Sequence, residues 1–176
     1  MKMTQKGFDI LRQKFGKLTQ EQVEGINFLV SAFDADKDIT YPQAAYMLAT
    51  AWHETATKMQ PVIEYGSEQY LKSKPYYPYI GYGYVQLTWP ANYKRMGDYL
   101  KIDLLSNPKL ALQPDIAIKI MIAGMKNGMF TGKKLSDYIN ATTKNYLSAR
   151  RIINGTDQAQ KIADYAVTFE KALRCP

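Results

Sequence analysis

Three times along this chain a hydroxyl or carboxylate side chain stands three residues ahead of a glutamine at the head of an apolar stripe: Thr19 with Gln22, Thr40 with Gln43, and Asp157 with Gln160. In this arrangement the first side chain accepts from a free N–H of the opening helical turn, and the glutamine reaches back to the cap, so both ends of the exchange satisfy a backbone donor. The stripes repeat every three to four residues, which predicts helices. Phe8, Leu11 and Phe15 share one face, with Gly16 as the stop; Val23, Ile26, Val30 and Phe33 continue the stripe after Thr19. The helix that starts at Thr40 carries Pro42 in its first turn, where a missing N–H does no harm, and is expected to run to about Met59. Further helices are expected near Pro90 to Leu100, from Pro114 to Asn127 with Gly128 as stop, from Lys144 to Ile153, and from Asp157 to Leu173. Between Pro61 and Thr88 the prolines, glycines and tyrosines carry no helical period, so this stretch reads as loop with at most a short hairpin. The fold class is mainly α, with a small β element beside one long aromatic loop.

A chain of 176 residues suffices for one well-buried core and is short for two, and neither a repeat nor a linker divides it. Residues 1–176 are therefore expected to form one domain, with no separate wall-binding domain. Lys and Arg number 23 against 16 Asp and Glu, a formal net charge of +7 that suits an anionic partner: nucleic acid, a membrane surface or an acidic wall polymer. The basic residues are spread along the chain and form no recognisable nucleic-acid motif, so no nucleic-acid partner is expected. The only cysteine, Cys175, leaves no intrachain disulfide to stabilise the fold, which points to synthesis in a reducing compartment. The N-terminus lacks the uninterrupted apolar stretch of a signal peptide, and no later stretch reaches membrane-spanning length. Action outside the cytoplasm would thus depend on another agent for release.

The chemistry centres on Glu54. In the third helix Ala44, Met47, Leu48 and Ala51 mark the buried face, and the spacing turns Glu54 toward the same side. Burial disfavours a carboxylate's ionised form and equips it as a general acid; the plainer reading is a partly exposed glutamate at a helix end. His53 is the only histidine, and Thr57 occupies the position where a zinc-protease helix needs its second one, so His53 reads as a structural hydrogen-bonding partner. Hydrolysis across a sugar ring requires a second carboxylate. Glu64, just past the break at Pro61, is the better candidate and Glu68 the weaker, although either could simply solubilise a loop.

The loop from Tyr76 to Tyr84 packs five tyrosines into nine residues. Their flat faces and edge hydroxyls suit pyranose rings, and a loop folding its own aromatics inward would have the same composition. Gln86, Thr88 and Asn92 could orient a water or an N-acetyl group, or Thr88 could cap the helix that begins at Pro90. Asp34, Asp36 and Asp38 open like a calcium loop, but Ile39 and Ala45 stand where its glycine and closing glutamate belong, so this is read as a turn. The C-terminal stripe of Ile162, Tyr165, Ala166, Phe169 and Leu173 could touch a membrane; its mixed charges favour core packing instead.

His53-Glu54-Thr55, then Gly83-Tyr84-Val85-Gln86-Leu87-Thr88 with Asn92-Tyr93, then Asn107-Pro108 and Ile152-Ile153-Asn154-Gly155, in this order, resemble glycoside hydrolase family 19, and within it the compact phage endolysin branch. The likeness spans roughly residues 40 to 170. It implies a lysozyme-like helical fold and hydrolysis of a β-1,4 bond with inversion. It makes Glu54 the catalytic acid and Glu64 the base, with Thr88 beside them. Gln86 and Asn92 join Thr88 in binding water and sugar, and His53, Tyr82, Tyr84 and Asn154 are expected to line the substrate cleft. Two departures stand out. Tyr82 occupies the place where the family usually has arginine, so a positive charge is either missing or supplied elsewhere, by Arg150 or Arg151; and the Glu54 to Glu64 spacing is shorter than in the plant chitinases.

The reading this supports is a monomeric phage-type endolysin that cuts peptidoglycan glycan strands between N-acetylmuramic acid and N-acetylglucosamine. It would accumulate in the host cytoplasm and reach the wall after membrane permeabilisation. No metal or organic cofactor is implied. The alternatives are a chitinase of the same family, a lytic transglycosylase, and a non-catalytic wall-binding protein.

Overall fold

The structure, a computed structural model, describes residues 1–176. Helix α1 (Gln5–Phe15) is capped by Thr4, whose Oγ1 accepts from the Gly7 N–H, and ends at Gly16 with φ +82°. Helices α2 (Gln20–Ala35) and α3 (Tyr41–Glu54) both open with the expected capping boxes, Thr19 with Gln22 and Thr40 with Gln43. Each cap of this type stabilises its helix by about 1 kcal/mol. Every residue of α3 from Gln43 to Trp52 is buried, which identifies it as the central helix of the fold. It packs most extensively against α8 (Ala159–Leu173), which also covers α1.

The third helix stops at Glu54, short of the expected end at Met59. Past it Ala56, Thr57 and Met59 all take positive φ, and the Thr55 hydroxyl donates to the Ala51 carbonyl while accepting from the Met59 N–H. The cause lies in tertiary packing. Met59 is fully buried with its carbonyl against Gly25 of α2, so close that a Cβ at residue 25 would collide with it.

The aromatic stretch contains the short β element. Strands β1 (Val62–Ile63) and β2 (Tyr82–Gly83) pair antiparallel, Val62 opposite Gly83 and Ile63 opposite Tyr82. Between them lies helix α4 (Glu68–Lys72), which the composition did not suggest. Helix α5 (Pro90–Leu100) follows without a side-chain cap. The residue at its cap position is Trp89, and Thr88 donates instead to the Gln86 carbonyl, which removes the capping role for Thr88. A 3-10 turn (Pro108–Leu112) leads into α6 (Pro114–Asn127), which ends at Gly128 in the left-handed conformation.

Two C-terminal expectations are corrected. Residues 144–153 do not form an α-helix: Lys144 is bridged to Ile139 past the end of α7 (Leu135–Tyr138), and only Ser148–Ile152 winds into a 3-10 turn. Helix α8 begins at Ala159 and is not capped by Asp157 with Gln160. Gln158 takes a left-handed conformation there, because the Asp157 carbonyl is turned away to accept from Arg150 Nε at 2.8 Å. The stripe of α8 packs into the core, with Ile162, Ala166, Phe169 and Leu173 all buried. In the aspartate-rich turn, Asp36 and Asp38 both accept from Lys126 of α6, at 2.7 to 3.0 Å. No helix is long and apolar enough to cross a membrane.

Candidate active site

Glu54 is the last residue of α3 and its side chain is 16% exposed. Arg150, on the 3-10 turn before α8, reaches it with Nη1 at 2.6 Å from Oε1, its own side chain only 3% exposed. Thus Arg150, not the exposed Arg151, brings a guanidinium to the carboxylate, and its Nε is tied to the Asp157 carbonyl, which fixes the fork. A buried cation needs such partners, because an isolated charge removed from water is strongly unfavourable.

Glu54 faces a cleft of about 390 Å³ whose walls include Tyr76, Gln86, Thr88, Trp89, Asn92, Phe130, Ile153 and Asn154. Five expected site residues, Glu54, Gln86, Thr88, Asn92 and Asn154, therefore meet on one concave surface. The wall is braced internally. Gln86, at φ +56°, donates through Nε2 to the Val62 and Gly83 carbonyls, and a Cβ at Gly81 would fall 2.7 Å from its Oε1. The missing side chain at Gly81 is what lets the amide approach this closely. Thr88 Oγ1 donates to the Gln86 carbonyl, Asn92 Nδ2 donates to the Thr88 carbonyl at 2.8 Å, and Arg95 Nη2 donates to Asn92 Oδ1 at 2.6 Å.

The second carboxylate, Glu64, does not line this cleft. Glu64 accepts from the Tyr76 hydroxyl at 2.8 Å and from the Gly81 N–H at 2.9 Å, and lines a neighbouring depression with Ile63, Tyr65, Tyr77, Tyr82 and Lys109. Tyr76 belongs to the cleft wall, so its hydroxyl links that wall to Glu64. Burial, and then the bond to the charged Glu64, push its pKa up to about 12, so it remains a neutral donor. Glu68 is highly exposed on α4 and paired with Lys72 at 2.6 Å, which leaves Glu64 as the ordered carboxylate of the two.

Three expected cleft residues lie elsewhere. Tyr84 is 1% exposed, its hydroxyl without a partner, and Tyr82 is 5% exposed with its ring edge-on to Tyr93. Here the loop folds its aromatics inward because β2 packs on the 3-10 turn, with Gly83 set close to the Ala111 carbonyl. His53 is half-buried, makes no side-chain hydrogen bond and is absent from the cleft wall. Burial lowers its pKa, and the charges of Arg150 and Lys161 act in the same direction against Glu54 and Asp157.

Trp89 is the aromatic the sequence reading passed over. It is 49% exposed, tilted against Tyr76 at 5.0 Å between centroids, and held at φ +77° by its position at the head of α5. The signal was its place between two polar cleft residues, Thr88 and Asn92, ahead of a proline.

No protein-family model matches the sequence, and no curated protein matches it. Solved structures do. Chitinase C from Streptomyces griseus superposes with a TM-score of 0.67 at 24% identity, over 94% of this chain and 75% of that one. A variant of chitinase C gives 0.66 at 25% identity over the same shares. A family GH19 class IV chitinase from Zea mays gives 0.59 at 16% identity, over 97% of this chain and 91% of that one. The chain has the mainly helical, lysozyme-like fold of the family 19 chitinases.

Proposed function

We propose that this protein is a glycoside hydrolase that cuts the β-1,4 bond between N-acetylmuramic acid and N-acetylglucosamine in peptidoglycan, with inversion, as a phage-type endolysin in host cell lysis. The observation that carries the reading is the cleft itself: a carboxylic acid fixed at the end of the central helix, facing amide and hydroxyl groups on a braced wall. The similarity in fold to chitinases supports glycan cleavage in general.

In the proposed reaction Glu54 gives its proton to the glycosidic oxygen as the C–O bond breaks. Glu64 lies outside the cleft and accepts, by way of the Tyr76 hydroxyl that lines it, the proton of the water that forms the new bond to the anomeric carbon on the opposite face. The water's hydroxyl ends on the sugar, so both carboxyl groups have changed protonation state and exchange protons with solvent before the next turnover. Tyr76 and the Gly81 N–H hold Glu64 in one orientation, and Thr88, Gln86, Asn92 and Asn154 position sugar and water. Arg150 fixes the orientation of the Glu54 carboxyl at the cleft through its 2.6 Å contact. The chain acts as one catalytic unit and as a monomer. Its net charge of +7 favours adsorption to an anionic wall, which salt would weaken.

The test is mass spectrometry of fragments released from purified peptidoglycan by the wild type and by Glu54→Gln. Reducing muramic ends from the wild type alone are expected; anhydro ends would replace hydrolysis by transglycosylation. A second reading, hydrolysis of chitin, is favoured by the chitinase neighbours; release of N-acetylglucosamine oligomers from chitin but nothing from peptidoglycan would establish it.

A further inference from the structure

Arg95 is an exposed cation on α5 that no carboxylate in the protein neutralises. Its Nη2 donates to Asn92 Oδ1 at 2.6 Å, and that amide is in turn fixed to the Thr88 carbonyl. Both Asn92 and Thr88 line the cleft beside Glu54, so the guanidinium is moored to the cleft wall by a chain of two hydrogen bonds. The acid closest along its own helix, Asp98, is engaged by Lys94 at 2.7 Å. Glu54 is held by Arg150, and Glu64 by Tyr76 and Gly81. Arg95 therefore presents its remaining N–H groups unfilled. A guanidinium carries five such donors in a planar fork that matches a carboxylate, and one anchored in advance loses less freedom on binding.

Arg95 does not itself line the cleft but stands behind Asn92, one turn along α5. The geometry points to it as a receptor next to the cleft for the carboxylate carried on the lactyl side of muramic acid, a specificity residue that selects the acidic wall glycan over a neutral polymer of N-acetylglucosamine. This rests on the peptidoglycan reading above. The carboxylate has two sources, the lactyl group itself where the stem peptide is absent and the peptide's own acids where it is present. Either would form a charge-assisted, two-pronged contact with the fork.

The experiment compares kcat/KM for the wild type, Arg95→Gln and Arg95→Lys on three substrates: purified peptidoglycan, the same peptidoglycan with its carboxylates converted to carboxamides, and amidase-treated glycan that keeps the lactyl carboxylate alone. Loss of one charge-assisted contact at a solvent-facing site predicts about a tenfold fall for Arg95→Gln on untreated peptidoglycan. A far smaller fall is expected on the carboxamide form, and partial recovery in Arg95→Lys. A fall that persists on the amidase-treated glycan assigns the contact to the lactyl carboxylate; a fall confined to the peptide-bearing wall assigns it to the peptide. Equal falls on untreated and carboxamide walls would overturn the inference, since Arg95 would then act only by holding Asn92, and so would no fall on any substrate. A wild type that releases nothing from any wall overturns the peptidoglycan reading before the variants are compared.

Discussion

Glu54 and Arg150, 96 residues apart in the chain, form an ion pair of 2.6 Å in which the guanidinium is 3% exposed and the carboxylate 16%. Removing one member of such a pair leaves the other charge without compensation in a poorly hydrated place. Arg150→Ala is expected to destabilise the fold by about 3 kcal/mol, and the double variant Arg150→Ala with Glu54→Gln by clearly less than the sum of the single losses. Urea unfolding of the four proteins measures this, and simple additivity would mean that the two side chains do not interact.

Tyr76 is the bond between cleft and second carboxylate. Tyr76→Phe deletes the 2.8 Å hydrogen bond to Glu64 and keeps the ring beside Trp89. Under the proposed reaction kcat should fall about tenfold with little change in KM, the effect of losing roughly 1.4 kcal/mol of positioning. Full retention of kcat in Tyr76→Phe, alongside a dead Glu64→Gln, would show that Glu64 is oriented by the Gly81 N–H alone.

Trp89 offers half its surface to solvent at the cleft wall. Trp89→Ala should leave unfolding by heat almost unchanged and raise KM for glycan about three- to tenfold, the worth of one aromatic face against a ring. A large drop in the melting temperature would instead make Trp89 a structural residue at the head of α5.

Glu170 tests the reading of pH. It is 7% exposed and accepts from Tyr146, Lys144 and Arg174. Burial acts to raise its pKa, but the three donors outweigh it and hold the carboxyl below its ordinary value of 4.5. A group lowered in the folded state adds stability above its unfolded pKa and loses it as the pH falls through the folded one. Glu170→Gln should therefore cost about 2 kcal/mol near pH 7, with the gap to the wild type closing below about pH 4. A constant gap across that range would mean that the charge is not what matters there.

Local signals were legible where local bonds decide the outcome. The threonine caps of α2 and α3 formed as the spacing required, and Gly16 and Gly128 ended their helices, because these depend on residues within one turn. The resemblance to glycoside hydrolase family 19 implied a shared cleft for Glu54, Gln86, Thr88, Asn92 and Asn154, and the five line one concave surface. What escaped was set at a distance. Met59 against Gly25 ended α3 early, and Arg150 drew the Asp157 carbonyl away from a cap. Tyr82 of β2 and Tyr84 just after it turned inward while Trp89 turned out, a choice between two faces that composition does not encode.

The contact of Gly25 with Met59 makes α2 a mechanical stop for the end of α3. The candidate acid is held at its depth by a helix that contributes nothing to the cleft wall, so a single methyl group added at residue 25 would act as a shim. It would push on the backbone that follows Glu54 and retune the cleft from outside, with every polar group of the site left chemically intact.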